Sequence, residues 1–403
     1  MFKVKITFWR AVLAIVLFAG AYAATLRFFR GLGASTNLSD AFPWGLWIGF
    51  DVMCGVMLAA GGFTLTSAVY LFNLKKFKPI VRPTVLTAFL GYLLVVVALL
   101  FDLGRGYRLW HPLVMWNPRS VMFEVAWCVT LYTTVLALEF AGVIVERFQL
   151  DKLLRIQKLL LIPLVIAGVM LSTLHQSSLG SLYLIVPNKL HPFWYTPILP
   201  VLFFLSALCV GLAMTIFESS MSAKHLGKQL ELQLIQALGR TLLVMVGIYT
   251  VVRFEDLLHR GTLALLTEGG WETSLFLVEI LLSSALPIIL LLIPKVRESP
   301  KGLYLAAVLC LLGFVTNRMN VAITGMEAAS GQRYFPKWTE MAITLAILGL
   351  GFFVFAVAVK YLPIFSHATV SRPVAAPEKV EDKVLHVAQS ARRALSHHHG
   401  YGQ

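Results

Sequence analysis

Ten runs of about 20 apolar residues recur along this chain, at roughly 8–28, 46–72, 84–103, 120–146, 155–175, 198–219, 239–258, 273–294, 302–324 and 340–361. A helix of that length crosses the hydrocarbon core of a bilayer, and a helix satisfies its own backbone groups where no water can. The pattern therefore predicts an all-α, polytopic membrane bundle of about ten transmembrane helices. Only 13% of residues are charged, against about 25% in a soluble domain. The net charge of +14 could suggest nucleic acid, but about two thirds of the Lys and Arg fall on alternate connections and the tail, as basic cytoplasmic loops do. That bias, with an even span count, puts both termini in the cytoplasm. The opening "MFKVK", apolar run and "AYAA" imitate a cleavable signal and are read as a retained first span. The membrane domain is expected over 1–365, with a polar, disordered cytoplasmic tail over 366–403. Its "HHH" at 397–399 reads as exposed tail.

Charges inside a bilayer cost several kcal/mol, so each needs a partner or a task. By depth, Asp51, Asp102, Arg105, Glu124, His175, Arg253, Glu255, Asp256, Arg318 and Asn320 fall toward the outer ends of their spans. The inner half holds chiefly Glu139 and Glu218, and Glu279 lies nearer mid-membrane. Ion pairs that fix packing, such as Arg253 with Glu255 or Asp256, are the plain alternative. A polar, protonatable pocket on the outer side is the sharper one. The four Cys are scattered in apolar runs without a CxxC, as small core residues are. His175 is the one clearly intramembrane His, so a bis-His haem, an iron–sulfur cluster and a metal site are not expected. Acids, a His, hydroxyls and an Arg at one face suit a quinone head group, which needs two electrons and two protons. A transporter is the competing class; Gly61-Gly62 and Pro163 could mark broken helices, but close packing and a mild kink are the simpler reading.

"FPWGLWIGFDVMCGVMLAAGGF" (42–63), "FDLGRGYRLW" (101–110), "NPRSVMFEVAWCVTLY" (117–132), "LEFAGVIVERF" (138–148), "LHQSSLGSL" (174–182) and "YFPKWTEMAIT" (334–344) together resemble the NrfD/polysulfide-reductase-type membrane subunits, over about 35–365. Within that family the chain resembles the membrane subunit of hydrogenase-2-type [NiFe] hydrogenases. The resemblance implies a bacterial inner-membrane subunit that uses menaquinone and carries neither haem nor iron–sulfur cluster. It implies as partners a periplasmic ferredoxin-like iron–sulfur subunit, the [NiFe] large and small subunits and membrane lipid, with no nucleic acid. Relatives serve polysulfide, nitrite and multihaem-cytochrome complexes. The family has Pro after the Arg of "DLGR", where this chain has Gly106.

The resulting expectation places the head group among spans 2 to 5. His175 donates to a quinone oxygen, while Asp51, Glu124 or Asp102 orients His175 and relays protons. Ser177 and Ser178 bind the carbonyl or a water, or simply cap the end of span 5, the reading preferred for Ser178. Arg105 or Arg253 stabilises charge on a reduced oxygen. Gln176 points away, toward a neighbouring helix or loop. Glu139 and Glu218 offer a proton path from the cytoplasm, or pair with inner-loop cations.

Overall fold

The computed structural model describes residues 8–185, 188–227 and 230–365, and within them the chain is helical without strands. Ten helices are long and apolar enough to cross a membrane: α1 (Phe8–Arg30), α2 (Trp47–Tyr70), α3 (Lys75–Asp102), α4 (Val121–Arg147), α5 (Asp151–Leu182), α6 (Leu199–Leu226), α7 (Leu232–His259), α8 (Trp271–Leu292), α9 (Pro300–Ser330) and α10 (Trp338–Tyr361). All ten predicted spans are present in order. The predicted tail over 366–403 lies outside the described residues. The two ends differ in their connections, the longest of which fall at one end. One end carries the long segments 31–46, 103–120, 183–198, 260–270 and 331–337 (the long-loop end). The other carries turns of a few residues (the short-loop end).

Helices α2 to α5 pack as one four-helix bundle and α6 to α9 as a second. Helix α2, packing on α6 and α9, and helix α5, packing on α6, join them, while α10 lies on α3 and α2 and carries α1 on its outer side. The α2–α6 crossing needs glycine. A Cβ on Gly211 would sit 2.9 Å from the backbone of Ala60 and Gly61, and one on Gly61 would sit 3.1 Å from the carbonyl oxygen of Gly211. At that contact α2 loosens for one turn, at Ala59 and Ala60. The Gly61-Gly62 pair thus marks both a close approach and an interruption. Pro163, by contrast, sits inside an unbroken α5.

Hydropathy alone truncates α5. The helix runs seven residues past His175 to Leu182, because buried Ser and Gln side chains, with partners of their own, replace apolar ones there. Three widened π-helical stretches occur, at Trp47–Cys54 in α2, Leu281–Ala285 in α8 and Asn320–Thr324 in α9. Such turns displace side chains from the regular helical register and gather at functional sites. The first contains Asp51, the second follows Glu279 and the third begins at Asn320.

The long-loop end is fastened by side chains. Arg27 of α1 donates to the carbonyls of Phe101 (2.6 Å) and Leu103 (2.8 Å), groups left orphaned where α3 ends. Glu340, fully buried in the first turn of α10, accepts from the backbone N–H of Lys337 (2.7 Å) and Asn37 (3.1 Å) and from the Tyr334 hydroxyl. Burial and that bond to Glu340 both push the Tyr334 hydroxyl pKa up, so it stays a donor.

Candidate functional site

Two polar tracks flank α3. The first follows a cavity of about 270 Å³ between α2, α3, α6 and α10. Its walls are apolar, with Leu58, Leu94, Val95, Phe217 and Phe352 among them, and two acids line it at different depths: Asp51 and Glu218. Asp51 is 6% exposed and accepts from the Thr344 hydroxyl of α10 at 2.6 Å. Glu218, equally buried, accepts from the Thr87 hydroxyl of α3 at 2.7 Å. Both α2 and α6 begin at the long-loop end. Asp51 lies one turn inside it and Glu218 about 15 residues deeper, a rise of roughly 20 Å. One apolar cavity thus holds a carboxylate near its long-loop end and a second deeper in, with Ser222 and Leu226 beyond it.

The second track runs inside the α2–α5 bundle. His175 is fully buried, its ring 5.8 Å from that of Tyr92, which meets Tyr132 edge-on at 4.7 Å. Among the described residues, neither ring nitrogen of His175, neither Tyr hydroxyl and not the Ser172 hydroxyl has a hydrogen-bond partner. Buried groups of this kind are normally satisfied by protein or by ordered water. Gly168 continues the track: a Cβ there would lie 3.4 Å from the Tyr132 ring and 3.7 Å from a Glu139 carboxylate oxygen. Glu139 in turn lines a second cavity of about 530 Å³ at the short-loop end.

Against this geometry several expectations need correction. Asp51, Glu124 and Asp102 do not orient His175, whose nitrogens touch no carboxylate. Asp51 faces α10 instead. Glu124 accepts from Ser178 at 2.6 Å, and the charge of Arg27 faces Asp102. Ser178 does not cap a helix end, since α5 continues to Leu182; its hydroxyl bonds the Leu174 carbonyl and Glu124, while Ser177 bonds the carbonyls of Thr173 and Leu174. Arg105 is exposed beyond the end of α3. Gln176 does reach a neighbouring helix, donating to the carbonyl of Val56 in α2 at 3.1 Å.

Arg253 belongs to the second bundle. It donates to the carbonyl of Phe193 at 2.7 Å and makes no ion pair with Glu255 or Asp256; Asp256 pairs with Arg260 at 2.7 Å. The core of that bundle joins Glu279, Arg318 and Asn320, each noted in the sequence at its own depth, into one network through residues that the sequence did not single out. Glu279, fully buried, accepts from Trp194 (2.7 Å), Asn317 (2.8 Å) and Asn320 (2.9 Å). Asn317 links it to Arg318, which lies 3.4 Å over the Phe203 ring and donates to Ser206 at 2.8 Å. Nothing in the sequence pairs these residues except two amides flanking an Arg inside an apolar run. Tyr92, Tyr132, Thr87 and Thr344 escaped notice because a census of charges passes over hydroxyls. The four Cys are buried and free, as small core residues. No group of three metal-ligating side chains occurs among the described residues.

Three relatives share this architecture in sequence. A protein of Nitratidesulfovibrio vulgaris strain Hildenborough is 42% identical over 350 residues, covering 84% of this chain and 89% of its own length. The probable Ni/Fe-hydrogenase 2 b-type cytochrome subunit of Escherichia coli K12 is 35% identical over 344 residues, covering 84% and 87%. The integral membrane subunit of a menaquinone reductase, also from N. vulgaris, is 30% identical over 388 residues, covering 90% and 92%. The words "b-type cytochrome" imply haem, which inside a bundle is ordinarily held by axial imidazoles. The described spans supply one buried imidazole, His175, packed against Tyr92, and that donor set does not fit a bis-imidazole site. The family described as polysulphide reductase, NrfD, matches residues 34–328, and the chain belongs to it.

Proposed function

We propose that this chain is the quinone-reactive membrane subunit of a respiratory oxidoreductase, exchanging electrons between an iron–sulfur partner at the long-loop end and menaquinone. The chain is not catalytic alone and carries no haem. A [NiFe] hydrogenase is the favoured module, on the 35% identity to the hydrogenase 2 subunit; the menaquinone reductase relative supports the quinone. The basic short-loop end would face the cytoplasm. The observation that carries the reading is the apolar cavity with two acids at different depths. Its walls suit a prenyl chain, and Asp51 with Thr344 offers the head group its polar contact.

Reduction of the quinone takes two electrons from the partner and two protons. In this reading Asp51 hands a proton to a quinone oxygen and is recharged along the cavity from Glu218, nearer the short-loop end. His175, Tyr92, Tyr132 and Glu139 form a second store of protonatable groups across α3. Protons drawn from the short-loop side while electrons arrive at the other would separate charge across the membrane.

The test is turnover by the complex purified with its own partner subunits. Asp51→Asn should slow menaquinone-analogue turnover by about 10²- to 10⁴-fold, the range for a lost proton-transfer group, and leave soluble-dye activity of the partner intact. Full quinone turnover in that variant rejects the site. A wild-type complex inert to every quinone rejects the function, and a reducible Soret band rejects the haem-free reading. Hydrogen consumption would identify the hydrogenase branch.

A further inference from the structure

The cavity of about 530 Å³ at the short-loop end lies between the ends of α2 to α5. Val81, Val85, Phe140 and Val143 give it apolar walls, among which Thr66, Tyr70 and the acid Glu139 also stand. Its mouth holds three cations: Lys78, Arg82 and Lys158. Arg82 is engaged with Glu146 and the carbonyl of Pro363. Lys78 and Lys158 are exposed and have no ion-pair partner among the described residues. The Gln157 side chain also lines the cavity, lying over Gly142, where a Cβ would stand 2.7 Å from its amide. Beside the mouth, α5 presents Leu153, Ile156, Leu159 and Leu160 outward, between 44% and 78% exposed.

Two ammonium groups outnumber the one acid, Glu139, that Arg82 does not pair, and with the apolar walls and the exposed apolar stripe of α5 they form an amphipathic receptacle. Basic pockets between transmembrane helices take anionic head groups in this way. We propose that this cavity binds one anionic phospholipid, its phosphodiester between Lys78 and Lys158 and its acyl chains along the recess and the outer face of α5. The charge complementarity favours phosphatidylglycerol-type over zwitterionic lipid. The inference does not depend on the quinone reading, since it uses no residue of the Asp51 cavity.

The test uses the purified full-length chain in mild detergent, with native mass spectrometry as readout and phosphatidylglycerol, phosphatidylcholine and inorganic phosphate as separate probes. One phosphatidylglycerol should remain bound where phosphatidylcholine is lost. The exposed pair Lys78→Gln and Lys158→Gln should weaken retention roughly thirtyfold, at the usual worth of two Lys near an anionic surface. The pair Lys224→Gln and Lys301→Gln, exposed at the same end, should leave it unchanged. Equal retention of both lipids overturns the proposal. So does loss in the Lys224/Lys301 pair equal to that in the Lys78/Lys158 pair. Displacement of the lipid by millimolar phosphate would assign the site to a free anion and overturn it as a lipid site.

Discussion

Replacing Thr344 by Val exchanges a hydroxyl for a methyl of nearly the same shape, 5% exposed, on the wall facing Asp51. The lost contact is the 2.6 Å bond that holds the Asp51 carboxylate. A buried hydrogen bond to a charged group contributes about 1.5–3 kcal/mol, and in turnover that corresponds to roughly a 10- to 150-fold loss of kcat/KM if Asp51 must be held to pass its proton. The assay is steady-state reduction of a menaquinone analogue by the purified complex, with soluble-dye reduction by the partner as the internal reference. Thr344→Ser keeps the hydroxyl and should keep most of the rate. A Thr344→Val complex within twofold of wild type, at unchanged dye activity, would refute the argument that this bond positions a reacting group.

Two further outcomes follow from other parts of the molecule. Glu279→Ala strands the donors of Trp194, Asn317 and Asn320, and with Asn317 the link to Arg318, so unfolding in mixed micelles should show a loss of about 3–5 kcal/mol, at about 1–3 kcal/mol per buried group left unpaired. Adding Arg318→Met should recover part of it, and a single-variant cost under about 1 kcal/mol would contradict the network's role. At the long-loop end, burial lowers the His191 pKa, partly offset by Glu272 and Glu268, and its Nδ1 accepts the Phe193 N–H at 3.3 Å. The neutral ring is the form the fold prefers, so its contribution is present above the ordinary value of about 6.5 and is lost as pH falls below it. Hydrogen-exchange protection in 188–198, corrected for the intrinsic pH dependence of amide exchange, should fall between pH 7.5 and 5.5, and His191→Gln should flatten that dependence.

The ten spans were legible because hydrocarbon admits few solutions and each apolar run announces itself. The end of α5 was not, because Ser172, His175, Gln176 and Ser178 depress hydropathy, while the groups that meet three of them, Tyr92 for the His175 ring, Val56 for Gln176 and Glu124 for Ser178, lie on other helices. The depth of the charges was legible too, and it picked out Asp51, Glu139 and Glu218. Their partners were not. A helix rotated by a π-helical stretch aims Asp51 at α10, 293 positions away in sequence, rather than at His175, and no periodicity in α2 encodes that turn. Arg253 and Arg318 likewise reach backbone carbonyls and amides more than acids, since a buried guanidinium needs five acceptors and only a three-dimensional packing supplies them.

The claim on which the account rests is that the quinone head group lies in the Asp51 cavity, between α2, α3, α6 and α10. Photolabelling of the purified complex with an azido-menaquinone analogue, followed by peptide mapping, tests it most directly. The account predicts label on peptides spanning 50–59, 87–95 and 344–356, competed away by unlabelled quinone. Label confined to 172–183 of α5, around His175, would contradict it.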